Sequence, residues 1–382
     1  GPALVSAARE IADLKGVFTA GTDFSASVAR VAEELGLPGI DRETALNASD
    51  KARMRERFAA AGVPVPRFRY GSSSDDALSL VRSILQGGAS FPLVVKPVDN
   101  MGARGCRMVR DEAELVAAWA DAVSHSRSGR AIIEEYLDGP EFSVDALVHE
   151  GRITIRGIAD RIVDFPPYFV ELGHTMPSAY DPSVQDEVIA VFKAGVKALG
   201  IRCGAAKGDI KYTRAGAFVG EIAARLSGGY MSGWTYPYAS GINPVEDGIA
   251  LACGEKPSLP DSRWECVSAE RAFISIPGIV SAVRGVDEAR RLPSIKDVFL
   301  RIKAGDRVRF PVNNVQKAGN VISQERDRKA AECAAESAAR SILVRLAPGK
   351  PETRAFLGNG AMDASYGWVP PADRPPAIVP GS

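Results

Sequence analysis

Between residues 207 and 229 the chain reads Lys207-Gly208-Asp209-Ile210-Lys211-Tyr212-Thr213, then Arg214-Ala215-Gly216, then Ala217-Phe218-Val219-Gly220-Glu221-Ile222-Ala223, then Ala224-Arg225-Leu226-Ser227-Gly228-Gly229. This pattern predicts two strands, about 205–213 and 217–223, around the turn Arg214-Ala215-Gly216. Each strand presents one carboxylate, Asp209 and Glu221. Two hard oxygen ligands with open remaining positions suit Mg²⁺, or Mn²⁺, that also takes phosphate oxygens. Arg225 follows four residues after Glu221, where a guanidinium suits a carboxylate or a phosphoryl oxygen. Gly228-Gly229 can offer close backbone donors. The competing reading is a hairpin laced by cross-strand salt bridges, such as Lys211 with Glu221.

Two further clusters precede it. Phe91-Pro92-Leu93-Val94-Val95-Lys96-Pro97 reads as a buried strand ending in a lysine. The loop Asp99-Asn100-Met101-Gly102-Ala103-Arg104-Gly105 can bring backbone N–H groups close to an anion, and Arg104 adds a full charge. Taken alone, this is a tight turn beside a surface lysine. Lys51 stands at the head of a helix, after Asp50. Ala131-Ile132-Ile133-Glu134-Glu135-Tyr136-Leu137 is an apolar strand that runs into carboxylates and is punctuated by Asp138-Gly139-Pro140-Glu141. Carboxylates there are costly without partners, which a nucleotide's amino and hydroxyl groups provide. The alternative for Glu135 is a solvated strand end.

The 382 residues leave room for two or three domains. Lys and Arg total 47 and Asp and Glu 47, so no net field favours capture of nucleic acid or an anionic membrane. No apolar run approaches a bilayer's thickness, and no signal-peptide pattern opens the chain. Five scattered cysteines without C-x-x-C spacing predict reduced thiols in a cytoplasm, not a zinc site or a disulfide scaffold. The opening Gly1-Pro2, without a methionine, has the pattern of a protease scar from an expression tag.

Outward from these clusters the patterning predicts a helix over 3–15, a short strand Val17-Phe18-Thr19-Ala20 and a helix through Leu35 capped by Gly36. A charged helix over Thr44–Ala61 follows, then one to about Leu85 and another near Glu112–Ser124. Phe142–Val148 and Ile153–Ala159 form a hairpin around Glu150-Gly151, and Asp186–Leu199 is an amphipathic helix. Beyond Lys256–Pro260 come short strands at 270–276, 279–284, 298–302 and 307–312, then a helix over Gln324–Leu346. The tail past Pro348 reads as irregular.

From about Lys51 to Gly254 these spaced motifs resemble the ATP-grasp superfamily. Residues 270–346 resemble more loosely the C-terminal subdomain of L-amino-acid ligases and biotin-carboxylase-like enzymes. The resemblance implies an α/β (α+β) fold with a partial N-terminal unit over 1–47 and an ATP-grasp domain over 48–262. That domain divides into a small lid subdomain (about 65–130) and a larger part (about 131–262). A β-rich C-terminal subdomain over 263–348 and an irregular tail over 349–382 complete the chain. It further implies that Lys51 and Lys96 contact nucleotide phosphates and that Asp99–Gly105, with Asn100, Gly102, Arg104 and Gly105, is a flexible lid. Glu134, Glu135, Tyr136 and Leu137 match the adenine-binding hinge, and Glu141 the ribose-binding glutamate. Asp209 and Glu221 match the metal-binding acids, Lys207 a basic residue near the transferred phosphoryl, and Arg225 the arginine that holds the carboxylate or its acyl phosphate. Where the family usually shows Glu-x-Asn, this chain has Glu221-Ile222-Ala223, so one oxygen ligand is missing; Gly220 replaces an apolar residue near the adenine.

The activity implied is ADP-forming ligation of a small carboxylate, such as an amino acid, to an amine. ATP and Mg²⁺ or Mn²⁺ serve it, MgATP lying between two α/β subdomains, and the intermediate is an acyl phosphate. Lys96, Lys207 and Arg225 would carry the chemistry. Glu171 and His174 are candidates for the acceptor pocket, with His174 as general base, and Gly228-Gly229 adjoin the substrate. Hydrogen-bonded structure is the plainer reading of His174, and core packing of Trp234, Tyr236 and Tyr238. His125 and His149 read as surface residues. Competing readings are an ATP-grasp carboxylase, a purine-pathway ligase resembling phosphoribosylglycinamide synthetase, and a nucleotide-binding protein that has lost turnover. Small-molecule substrates are the implied partners, and relatives are often dimers.

Overall fold

The computed structural model describes residues 2–72 and 74–358. Four strands come first: β1 (Phe68–Gly71), β2 (Leu93–Pro97), β3 (Arg107–Val109) and β4 (Ala131–Glu135). The middle of the chain gives β5 (Glu141–His149), β6 (Arg152–Asp164), β7 (Val170–Met176), β8 (Gly204–Thr213) and β9 (Gly216–Ala223). The C-terminal part gives β10 (Val267–Phe273), β11 (Gly278–Arg284), β12 (Ile295–Leu300), β13 (Arg307–Val308), β14 (Gly319–Glu325) and β15 (Leu343–Leu346). The chain divides into two compact units. One comprises Gly1–Pro66, Leu137–Asp160 and Met176–Glu265; the other comprises Arg67–Tyr136, Arg161–Thr175 and the residues from Cys266 onward.

In the first unit the strand order is β6-β5-β8-β9. Period-two alternation sends Phe142, Val144, Ala146, Val148 and Ile210 into a core with Val188, Phe192 and Val196 of the helix Pro182–Leu199. Met54 and Phe58 of the helix Lys51–Ala60 close the same core. The opposite face is polar: Glu141, Ser143 and Asp145 on β5 pair in register with Lys211, Asp209 and Lys207 on β8. The β5–β6 turn has Glu150 at φ 52° and Gly151 at φ 81°, the two positive values of a tight hairpin of the expected kind.

In the second unit the antiparallel order β1-β4-β2-β3 makes one sheet. Leu93, Val95, Ala131 and Ile133 pack under the helices Ser74–Gln86 and Glu112–His125, around Leu115 and Trp119. Lys96 and Glu134, out of phase with those residues, belong to the other face. A run of strands in the order β12-β14-β10-β7 carries the alanine-rich helix Arg328–Ser341, whose Ala331 and Ala335 meet Ala269. A three-stranded sheet, β13-β11-β15, stands beside this run in the sequence.

The mixed helix-and-sheet class is as expected, but several elements differ. The strand expected at Val17–Ala20 reduces to one parallel bridge, Ala20 to Leu226, since an extended segment without a second neighbour has no ladder to join. The helix expected over Thr44–Ala61 is two, Arg42–Asn47 and Lys51–Ala60. Asp50 breaks it by accepting from Ala52 N–H at 2.9 Å and Arg53 N–H at 3.1 Å, a helix start inside a helical pattern. The helix expected over Gln324–Leu346 spans Arg328–Ser341, with Asp327 as its cap, and its ends fall in β14 and β15. Residues 307–312 give only the two-residue β13. In the tail expected to be irregular, Pro351–Gly358 is a helix; residues 359–382 lie outside the described residues.

Candidate active site

In the first unit, Asp209 and Glu221 are direct cross-strand partners of β8 and β9. Neighbours in register project to the same face, so the two acids are side by side. Immediately beyond, the register slips: Ile210 pairs with Val219, and Gly220 is the extra residue of a bulge. A Cβ on Gly220 would lie 2.9 Å from the Asp209 carbonyl oxygen, which excludes the apolar side chain expected there. The buried Arg55 donates to the Gly220 carbonyl at 2.6 Å and fixes the bulge from below.

Lysines meet three of the acids of this face. Lys51, only 6% exposed at the first turn of its helix, pairs with Glu221 at 3.4 Å. Lys207 is bonded to Asp209, and Lys211 pairs with Glu141 at 3.4 Å. The cross-strand pair weighed from the sequence, Lys211 with Glu221, is therefore replaced by these three. Charges so little exposed are stable only when paired, and a polyanion with a divalent cation can exchange into such a set. Asp209 and Glu221, side by side, are two hard oxygen ligands that could hold a magnesium ion whose shell is completed by phosphate and water oxygens.

The segment after β9 is held by a residue the sequence reading passed over. Asp145 of β5 accepts from Ser227 N–H at 3.0 Å and from the Ser232 hydroxyl. It is 1% exposed, and burial pushes its carboxyl above the ordinary carboxylate value, against those hydrogen bonds and the nearby Lys207 charge. Arg225 donates Nη1 to the Leu226 carbonyl at 3.0 Å, while its buried Nε has no hydrogen-bond partner among the described residues. An orphaned buried donor costs about 1–3 kcal/mol, so the Arg225 Nε marks a place where a ligand oxygen would be welcome. Trp234 stands edge-on to Tyr230 at 5.4 Å and is 38% exposed, whereas Tyr236 is buried in the core with Met176 and Met231.

The second unit holds other residues singled out from the sequence. Lys96 and Glu134 form an ion pair at 2.6 Å, with Glu134 only 3% exposed. Glu135 is bonded to Arg67 through both side chain, at 3.1 Å, and main chain, its N–H donating to the Arg67 carbonyl at 2.9 Å. The Tyr136 ring lies 6.4 Å from that of Phe169, and the chain leaves this unit after Tyr136, Leu137 being the first residue of the other. In the loop 99–105, Gly102, Ala103 and Gly105 all have φ between 59° and 67°, a left-handed run suited to turning N–H groups to one side. Its start is tied down. Asp99 accepts from Ser126 and from the N–H groups of Arg127 and Ser128; burial raises its carboxyl, but these bonds outweigh that and hold it below the usual carboxylate value. Asn100 donates to the His125 carbonyl at 2.7 Å, and Arg104 folds back on the Met101 carbonyl at 3.0 Å.

Glu171 and His174 do come together. His174 is 1% exposed, with Nδ1 4.0 Å from Glu171 and 3.5 Å from the buried Glu270. Arg161 pairs with Glu171 at 3.0 Å. The C-terminal residues Asn314 and Lys317 grip the Glu171 main chain, Asn314 accepting its N–H at 2.8 Å and Lys317 donating to its carbonyl at 2.9 Å. Glu270, Asn314 and Lys317 were not singled out as site residues from the sequence. His125 is exposed, as expected, and His149 half-buried.

Residues 89–233 match the ATP-grasp domain family, and residues 272–347 match the L-amino acid ligase C-terminal domain 2. The chain is 26% identical over 341 residues to the uncharacterised protein y4rH of Sinorhizobium fredii, covering 88% of this chain and 69% of that one. It is 26% identical to carnosine synthase 1 of Gallus gallus over 76% of its length, but spans only 33% of that protein. Among solved structures, L-amino acid ligase from Bacillus licheniformis superposes with a TM-score of 0.78 at 21% identity, covering 90% of this chain and 84% of that one. The fold is thus that of the ATP-grasp enzymes. The chain thus carries an ATP-grasp domain, followed by an L-amino acid ligase C-terminal domain 2.

Proposed function

We propose that the chain is an ADP-forming carboxylate–amine ligase whose carboxylate substrate is an amino acid. The single observation that carries this reading is the direct pairing of Asp209 with Glu221, followed four residues later by Arg225 with an orphaned buried Nε. A magnesium ion held there would offset phosphate charge. Lys51, Lys96 and Lys207 neutralise the triphosphate, and Arg225 turns the substrate carboxylate toward the γ-phosphorus. A carboxylate oxygen bonds to that phosphorus, the bond to the β,γ-bridging oxygen breaks, and ADP leaves. The amine nitrogen then bonds to the acyl carbon, the carbon–oxygen bond to phosphate breaks, and the amine gives up one proton. The half-buried Glu171 and the buried His174 are suited to receive the ammonium group and both protons that it gives up, the one lost to give the free amine and the one lost on amide formation. Glu134, Glu141 and the chain around Tyr136 and Leu137 bind the nucleoside, and the loop 99–105 covers the phosphates.

The C-terminal domain match and one similar structure both carry the name L-amino acid ligase, which supports amino-acid substrates. ADP release measured with MgATP against a panel of amino acids and amines tests the reading, together with trapping of the acyl phosphate by hydroxylamine. An amino-acid-dependent hydroxamate is the expected product. ADP release that depends on bicarbonate instead, or no stimulated release at all, would replace this reading with one of its competitors.

A further inference from the structure

We propose that Lys207 stands in for a second metal ion, so that this chain holds its nucleotide with one divalent cation and one lysine. The proposal rests on the magnesium-nucleotide reading above and refines it.

Lys207 has Ala223 as its partner on β9. Ala223 is the third residue of Glu221-Ile222-Ala223, buried at 3% exposure, and offers no oxygen where a metal ligand is expected. The side chain opposite that gap is itself a cation. Its ammonium is bonded to Asp209, two residues along the same strand and on the same face. On its other side Lys207 has Asp145 as partner on β5. Asp145 is anchored instead to the segment after β9, by Ser227 N–H and the Ser232 hydroxyl.

A second Mg²⁺ needs oxygen ligands near the octahedral ideal. Here it would meet a methyl group where a ligand is expected, and an ammonium already on the neighbouring acid. Lysine has three donors and no lone pair, so it repels the ion and cannot ligate it. What it provides is a fixed positive charge beside the phosphates, without exchange with solvent.

The test counts ions. Protein saturated with a non-hydrolysable ATP analogue is titrated with Mn²⁺, free ion is read by electron paramagnetic resonance, and bound nucleotide is measured separately by absorbance. One Mn²⁺ per bound nucleotide is expected for the native protein and for Ala223→Asn, which retains Lys207. The double variant Lys207→Ala, Ala223→Asn is expected to take up two. Two ions on the native protein, or a nucleotide-loaded double variant that stays at one, would overturn the assignment to Lys207 and leave the nucleotide site standing. Should the double variant not fold, the other two counts decide: one ion on each supports the proposal, two on either overturns it. Absence of any nucleotide-dependent Mn²⁺ uptake by the native protein would remove both the proposal and the reading beneath it.

Discussion

The carboxylate of Asp145, on β5, accepts the N–H of Ser227 at 3.0 Å and so holds the start of the Ser227-Gly228-Gly229 segment, 82 residues further along the chain. The same carboxylate takes the Ser232 hydroxyl, which also donates to the Ser227 carbonyl at 3.1 Å. The segment that carries Arg225 is thus shaped from beneath by a residue that touches no substrate in the proposed reaction. Asp145→Ala leaves buried donors unpaired, at about 1–3 kcal/mol for each. Asp145→Asn retains an acceptor of the same shape. Urea denaturation should therefore rank Asp145→Ala well below Asp145→Asn, and equal stabilities would show that these bonds do not hold the segment.

Asp145 also sets a pH dependence. Burial raises its carboxyl in the fold, so folding favours the protonated form. A raised carboxylate contributes stability that is fully present below the unfolded value and is lost as pH rises through the folded one. Asparagine has no such proton to lose. The stability difference between Asp145→Asn and the native protein should move in favour of the variant from acid to neutral pH. A difference that stays flat across that window would mean the aspartate titrates as it does in water.

In the other unit, Glu134 is buried and Lys96 pairs with it at 2.6 Å. Removing one member takes the opposite charge from the other, at up to about 3–5 kcal/mol for a buried pair. Lys96→Met should be strongly destabilising, and adding Glu134→Gln to it should restore part of the loss, since the stranded charge is gone. A double-mutant cycle by chemical denaturation measures the coupling. Strict additivity would show that the pair is not energetically joined.

How much of this was legible in the sequence depends on the range of the signal. The hairpins were legible because Glu150-Gly151 and Arg214-Ala215-Gly216 are local turn chemistry flanked by alternating residues. The acids Asp209 and Glu221 follow from the same alternation, which fixes their face. The bulge at Gly220 was not legible, because only the register of two strands reveals an extra residue. The helix over Thr44–Ala61 was overextended, as Asp50 is an ordinary helix residue by composition and becomes a cap only by its backbone angles. Asp145 hides among the apolar residues of β5, and its partners lie 82 and 87 residues away. Glu270, Asn314 and Lys317 sit in the C-terminal residues, and only folding brings them onto Glu171 and His174.

Glu171 lies between Arg161 and His174, with its main chain fixed on both sides by Asn314 and Lys317. A carboxylate so fixed suits a substrate ammonium. Glu171→Gln keeps the shape and removes the charge; a hydrogen bond to a charged group contributes about 1.5–3 kcal/mol, which is roughly 10- to 100-fold in binding. The KM for the acceptor amine should rise by that factor, while hydroxamate formation from the first substrate stays near native. Loss of hydroxamate formation with an unchanged acceptor KM would move Glu171 to the other half of the reaction.

Arg225 carries the most direct prediction. Its Nη1 is spent on the Leu226 carbonyl, and its Nε is buried without a protein acceptor. A donor kept dry and unpaired is destabilising in the free protein, and that cost is recovered only when an oxygen arrives. If the oxygen belongs to the carboxylate under attack on the γ-phosphorus, the bond strengthens as charge spreads in the transition state, and the residue acts on kcat more than on KM. Arg225→Ala should lower kcat by on the order of 10²–10³. Arg225→Lys should fare little better, because a lysine has no Nε–H at that position and no planar fork. Thermal unfolding of both variants should stay at or above the native midpoint, since the orphaned donor is gone. A variant that turns over at the native rate, or one that unfolds much earlier, would show that Arg225 is held for packing and not for the substrate.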